Sequence, residues 1–327
     1  MNASNDRLGS DSVIRRCLIN VRITPASRPQ RLITACRMSA KRRHHDVHLV
    51  TPAGGVYLSA TVMNTIFWPE FGILYASALL GGAAILPYGV RLIKQSAQSN
   101  PLKMSVPKLL LLSLLQTAVL SAIAIGIGLL AAHRIGLGAP YIETALLGKG
   151  SMQTVALMLQ AAIPLGVLAG LVLLLTDLLF LPHLPEALLD TARKTSLWEN
   201  FTASFYGGLN EEFLMRLFGL SVFAWLLSQI WHTSAGLPTS AVFWSANVSM
   251  AVLFGLGHLP ALKNLLGQIP LLVLARTLLL NAPIGLICGW LYWRYGIEAA
   301  VTAHFATDIV YHVGGTTLLR RRLSANR

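Results

Sequence analysis

The sequence predicts an all-α fold, a polytopic membrane bundle of about seven or eight transmembrane helices. Two observations carry that prediction. Of the 327 residues, 54% are hydrophobic and only 12% charged, with a mean hydropathy of +0.60, whereas soluble domains carry roughly 25% charged residues. In addition, apolar runs of about 20 residues, each long enough as a helix to cross a ~30 Å hydrocarbon core, recur along most of the chain.

Taken in order, residues 1–48 form a basic tail, with Arg15, Arg16, Arg42 and Arg43 among polar residues. It lacks apolar periodicity and is expected to be disordered; Met38 and Met63 are alternative starts. Leu49 to Trp68 is a weaker span. The main spans are Phe71 to Val90, Leu109 to Ala132, Val155 to Leu175, Phe201 to Leu227, Thr239 to His258, Ile269 to Trp293 and Ile297 to Val313. Between the third and fourth, LPEALLDTARKTSLWEN mixes apolar residues with both charges and reads as an interfacial helix. The domain division is therefore 1–48 tail, 49–195 first helices and interfacial segment, 196–315 core, and 316–327 basic tail.

The net charge of +13 sits at helix ends and in the tails, the distribution of topology signals rather than of a nucleic-acid surface. The loop with Arg91, Lys94, Lys103 and Lys108 and the tail with Arg320, Arg321, Arg322 and Arg327 both read as cytoplasmic. No nucleic-acid partner is expected. The bilayer is. Cys17, Cys36 and Cys288 show no CxxC spacing and imply neither a disulfide framework nor a zinc knuckle.

Within the fourth span the sequence runs NEEFLMRLF, placing Glu211, Glu212 and Arg216 in apolar surroundings. Each such charge costs roughly 2.5–3.5 kcal/mol at the bilayer centre on insertion scales. Glu212 and Arg216 are spaced i, i+4 and pair on one face; Glu211 points about 100° away. His258 ends the fifth span, next to Gly255 and Gly257, which suit close helix packing. His304 and Asp308 share a face of the seventh. Two carboxylates and two imidazoles can act as a general base with oxyanion stabilisers around a water, or as ligands of a divalent metal. His312 and His232 read as interfacial, and Arg276 and Asn281 as polar glue or cavity lining.

At these residues the sequence resembles the CPBP family, the CAAX proteases and bacteriocin-processing enzymes, also called Abi. The family pattern is EExxxR, then FxxxH, then HxxxN or HxxxD. Here EEFLMR spans Glu211 to Arg216, FGLGH spans Phe254 to His258, and HFATD spans His304 to Asp308. The resemblance covers about residues 196–315 and implies an intramembrane endopeptidase with its catalytic core in the C-terminal half. Its expected site is Glu211, Glu212, His258, His304 and Asp308, supported by Arg216 and Phe254. Glu211 would activate a water with His258, while His304 and Asp308 would stabilise the oxyanion or complete a metal site. Asp308 departs from the Asn typical of the prenyl-protein proteases. A divalent metal such as zinc is the one cofactor the resemblance brings in, without fixing it. The expected partner is a membrane-associated protein or peptide, a prenylated CAAX tail among the candidates, and the expected location a bacterial cytoplasmic membrane. A bacteriocin-immunity or scaffold protein of the same fold and a proton-coupled transporter are the rival readings.

Overall fold

The computed structural model describes Leu49–Val50, Val56–Tyr57 and residues 60–99, 104–234, 236–315 and 317. The basic tail 1–48 and nearly all of the C-terminal tail lie outside these. The described residues are almost entirely helical. A two-residue antiparallel pair, β1 (Leu49–Val50) with β2 (Val56–Tyr57), joins Leu49 to Tyr57 and Val50 to Val56. It stands where the weaker span was drawn from Leu49. Helix α1 (Ala60–Ala84) begins only afterwards.

After a turn at Ile85 the chain continues as α2 (Leu86–Ser99). Helix α3 (Val106–Arg134), short α4 (Pro140–Leu146) and α5 (Met152–Phe180) follow. The predicted interfacial segment is α6 (Glu186–Lys194), and α7 (Leu197–Tyr206) starts directly behind it. Past two irregular turns come α8 (Ser221–Ser228), α9 (Ser240–Gly257), α10 (Leu259–Leu266), α11 (Leu271–Tyr295) and α12 (Ile297–Asp308). Among the described residues five segments are long and apolar enough to cross a membrane: Thr65–Lys94, Val106–Arg134, Met152–His183, Ser240–Leu266 and Leu271–Tyr295. The two runs bearing the EE and HxxxD motifs are broken into shorter pieces. This is an integral membrane protein.

Helix α3 shows why. Leu111, Leu115, Val119, Ile123, Ile127 and Leu130 recur every three or four residues and are all exposed, an apolar stripe that lipid, not water, would cover. Its other face, with Ala124, Ile125, Gly128 and Leu129, is buried. Among lipid tails the hydrophobic effect does not drive helices together, so close packing of small residues does. Gly166 and Gly170 of α5 face Ala303 and Thr307 of α12 so tightly that a Cβ on either would strike backbone. The Thr307 hydroxyl donates to Gly166 O at 2.9 Å. That contact clamps the HxxxD helix against α5 and sets the depth of His304 and Asp308.

Candidate active site

The paired glutamates sit where the chain stops being α-helical. Beyond α7, Gly207–Glu211 and Phe213–Leu220 wind as π turns on either side of Glu212. Such turns are rare and occur mostly at functional sites. In a regular α-helix neighbouring side chains diverge by about 100°, yet here both carboxylates reach one imidazole. His304 Nδ1 lies 2.6 Å from Glu212 Oε1, and His304 Nε2 lies 3.9 Å from Glu211 Oε2.

Arg216 Nη1 donates to Glu212 Oε1 at 2.7 Å and Nη2 donates to Gly285 O at 3.0 Å. The side chains of Arg216 and Glu212 are 1% and 0% exposed. A buried charge persists only when paired and hydrogen-bonded, and this pair meets that condition as the spacing predicted. Glu212 also accepts the His304 Nδ1 proton, which fixes the ring and turns Nε2 toward Glu211 and Asp308. Glu212 thus lies behind His304 rather than on the cavity wall. Its Oε1 is shared by a guanidinium and an imidazole, which gives Glu212 the Arg216-paired place that the i, i+4 spacing assigned to it. Glu211 is not alone either, since it faces His304, but its side chain remains 28% exposed.

His304 Nε2 lies 3.7 Å from Asp308 Oδ1, and His312 Nε2 approaches the same oxygen at 3.8 Å. His312, read as interfacial, therefore borders the site. His232 keeps the interfacial character, exposed in a loop and contacting Thr233 O. His258 closes α9, its Nδ1 2.8 Å from Phe254 O. A carbonyl only accepts, so Nδ1 carries the proton and Nε2 is the free acceptor. The Phe254 ring stands edge-on to both imidazoles, with centroids 5.0 Å from His258 and 5.8 Å from His304, and carries the Arg216 guanidinium 5.1 Å above it. Phe254 is the wedge that spaces the two motifs.

Glu211, His258, His304 and Asp308 all line one cavity of about 500 Å3. Gly207 makes the assembly possible: a Cβ there would fall 2.7 Å from Asp308 Oδ2 and 3.4 Å from His304 Nε2. The same wall includes Arg276 and Asn281. Arg276 Nε donates to Asp177 Oδ1 at 2.6 Å, and the Tyr311 hydroxyl donates to Asp177 Oδ2 at 2.9 Å. Sequence reasoning had named Arg276 without its partner, because Asp177 falls just beyond a drawn span.

Zinc binds ligands at about 2.0–2.3 Å, so ligand atoms around a tetrahedral ion stand roughly 3.3 Å apart. Two donor sets can be tested against that spacing. Glu212, Cys288 and His304 come within 4.8 Å of one another, but His304 Nδ1 is bonded to Glu212 Oε1, which Arg216 shares, and the Cys288 thiol contacts Ala300 O at 3.6 Å, so Glu212 Oε2 is the one oxygen of that set without a hydrogen bond. On the cavity wall, the His304 Nε2 distances of 3.7 and 3.9 Å to Asp308 and Glu211 are wider than a zinc ligand edge. Neither set fits zinc as it stands.

Residues 193–310 match the model of a family described as Rce1-like, type II CAAX prenyl endopeptidase Rce1-like. That stretch contains all three motifs and every cavity-lining residue named for the site except Asp177, Tyr311 and His312. No curated protein and no solved structure matches the chain.

Proposed function

We propose that this chain, which belongs to the CAAX-protease family through residues 193–310, hydrolyses a peptide bond near the C-terminus of a prenylated, membrane-associated protein or peptide. The observation that supports this most is the convergence of Glu211, His258, His304 and Asp308 on one cavity. No serine or cysteine nucleophile lies among these groups, so the attacking atom is water.

Glu211 is a wall carboxylate without a guanidinium partner, and unlike Asp308 it is not flanked by two imidazoles; it takes a proton from a water held between itself and the scissile carbonyl. His258 Nε2 accepts the second hydrogen of that water and orients it. The hydroxide oxygen bonds to the carbonyl carbon, and the oxygen of the tetrahedral intermediate takes the negative charge. His304, held by Glu212, donates from Nε2 to that oxygen when protonated. As the carbon–nitrogen bond breaks, Glu211 returns its proton to the leaving amine. Asp308, itself approached by His312, holds His304 from the far side. An aspartate here differs from the family's usual asparagine: ionised it cannot donate to the oxyanion, so its part is to hold the imidazolium. The reaction runs through side chains of this chain alone, and no step is placed on a metal.

In this reading the five long apolar helices are joined by the α7–α8 run and by α12 with its π turn as membrane passes. The basic 91–108 loop and the C-terminal tail then share the cytoplasmic side, and the cavity, lined by Leu184, Leu188 and Thr191 of the polar segment, opens there. A prenyl chain would lie in the lipid beside the exposed apolar faces while the peptide enters from water. The test is incubation of the purified full chain in proteoliposomes with a farnesylated CAAX-type peptide and with the same peptide lacking the lipid, products being read by mass spectrometry. Cleavage of the lipidated peptide, with the plain one cut at least about tenfold more slowly, is expected. Absence of cleavage together with proton-coupled flux would favour the transporter reading instead.

A further inference from the structure

A second cluster of buried titratable groups lies outside the segment shared with the family. Glu70 of α1, His133 at the end of α3 and Glu143 of α4 are all buried, Glu70 completely so. Their ligand atoms fall within 4.8 Å of one another. His133 Nε2 stands 3.2 Å from Glu70 Oε2 and 3.6 Å from Glu143 Oε1. The first matches the roughly 3.3 Å edge of a tetrahedral zinc site; the second is about 0.3 Å longer, and Glu143 would have to close by that much to ligate with the others.

The polar atoms here lack ordinary partners. Among the described residues neither Glu70 oxygen nor either His133 ring nitrogen makes a hydrogen bond. Buried groups in that condition are rare and call for a ligand or a proton to satisfy them. Two carboxylates and a neutral imidazole sum to −2; one divalent cation brings the buried cluster to zero in a single step, whereas protons reach zero only by occupying both His133 and one carboxylate. Arg134, the nearest cation in sequence, is turned onto the ring of Trp225, 4.9 Å from its centroid.

The surroundings are built for ligation. Ala139 N–H donates to Glu143 Oε1 at 3.0 Å, orienting that carboxylate as an outer hydrogen bond orients a metal ligand. Gly138, at φ +151°, lets the carboxylate close on His133, because a Cβ there would collide with Glu143 Oε1. The loop is also tied to the catalytic helix. Ile297 N donates to Gly138 O at 3.1 Å. Glu298 Oε1 accepts from both Tyr141 N and Ile142 N at 3.0 Å. Glu298 begins the helix that carries His304 and Asp308 toward its other end.

We infer that Glu70, His133 and Glu143 form a structural binding site for a divalent transition metal of the zinc class, clasping α1, α3 and the α3–α4 loop and anchoring the start of α12 away from the catalytic cavity. Imidazole with two carboxylates suits such an ion, and a fourth position remains for water or the second Glu70 oxygen.

The experiment is zinc and cobalt binding by the detergent-solubilised full chain, with metal content measured after gel filtration and cobalt read by its visible absorption. The variants are Glu143→Gln, Glu70→Gln and, to remove any metal held in the cavity, His304→Asn. Wild type and His304→Asn are expected to retain about one zinc per chain, and each Gln variant to bind at least about tenfold more weakly. Zinc should raise the melting temperature of wild type and leave that of Glu143→Gln unmoved. If either Gln variant fails to fold, the His304→Asn protein alone decides, since loss of its cobalt spectrum places the metal in the cavity. Wild type that takes up no zinc, or uptake lost in His304→Asn and kept in Glu143→Gln, would overturn the assignment.

Discussion

Glu211 and Glu212 are adjacent in sequence and opposite in circumstance. Glu212 carries Arg216 and His304 and has no exposed surface, whereas Glu211 faces the cavity. The i, i+4 rule was enough to separate them in the sequence, because it assigns Arg216 to only one of the two. It could not reveal that Glu212 also holds His304, a contact across 92 positions. Replacing Glu212 by Gln strands a buried guanidinium and should cost about 3–5 kcal/mol, visible as a fall in melting temperature and yield along with activity. Unchanged melting would mean that the pair does not hold the site. Gly207→Ala should keep the fold but push Asp308 and His304 aside, lowering turnover by about 10- to 100-fold as misplaced catalytic groups do. Cleavage rates for the two proteins, compared at equal amounts of folded enzyme, check it.

At the scale of elements, hydropathy located the helices but not their breaks or their ends. The π turns around Glu212 have no signature in composition, and only the structure shows that they bring both carboxylates to one ring. Glu70 lies one residue before a drawn span and His133 one residue after another, so a reading by apolar runs passed over both. The start of α7 was also missed, although Ser196 and Glu199 have capping-box spacing. Glu199 N donates to Ser196 Oγ and Ser196 N to Glu199 Oε2, while Arg91 donates to Glu199 Oε1 and to Thr195. Burial pushes the Glu199 carboxyl up, but the Ser196 backbone and hydroxyl bonds and the Arg91 charge outweigh it, leaving its pKa below the ordinary value. A carboxylate depressed in the fold stabilises it fully above the unfolded pKa of about 4.3 and loses that contribution as pH falls through the folded value. Melting temperature followed downward through that range should therefore drop more steeply for wild type than for Glu199→Gln. Parallel curves would remove the cap and its ion pair from the account of α7.

For the whole molecule, composition pointed to a membrane protein, and the three short motifs fall within the 193–310 stretch that matches the Rce1-like family. The weaker reading was of the first half, where hydropathy alone was followed and the Glu70–His133–Glu143 cluster went unseen. The proposed seven-pass topology requires the 91–108 loop and the C-terminal tail to be on one side. Single cysteines introduced in each should react with a membrane-impermeant maleimide from the same face of sealed vesicles, and labelling from opposite faces would break the topology on which the cavity's opening rests. The central claim is that Glu211 activates the water. Its most direct test is the rate of cleavage of a farnesylated peptide by purified Glu211→Gln, at a melting temperature matched to wild type. The account predicts a correctly folded, equally stable protein with peptide hydrolysis lost, and a Glu211→Gln protein that still cleaves the peptide at the wild-type rate would contradict it.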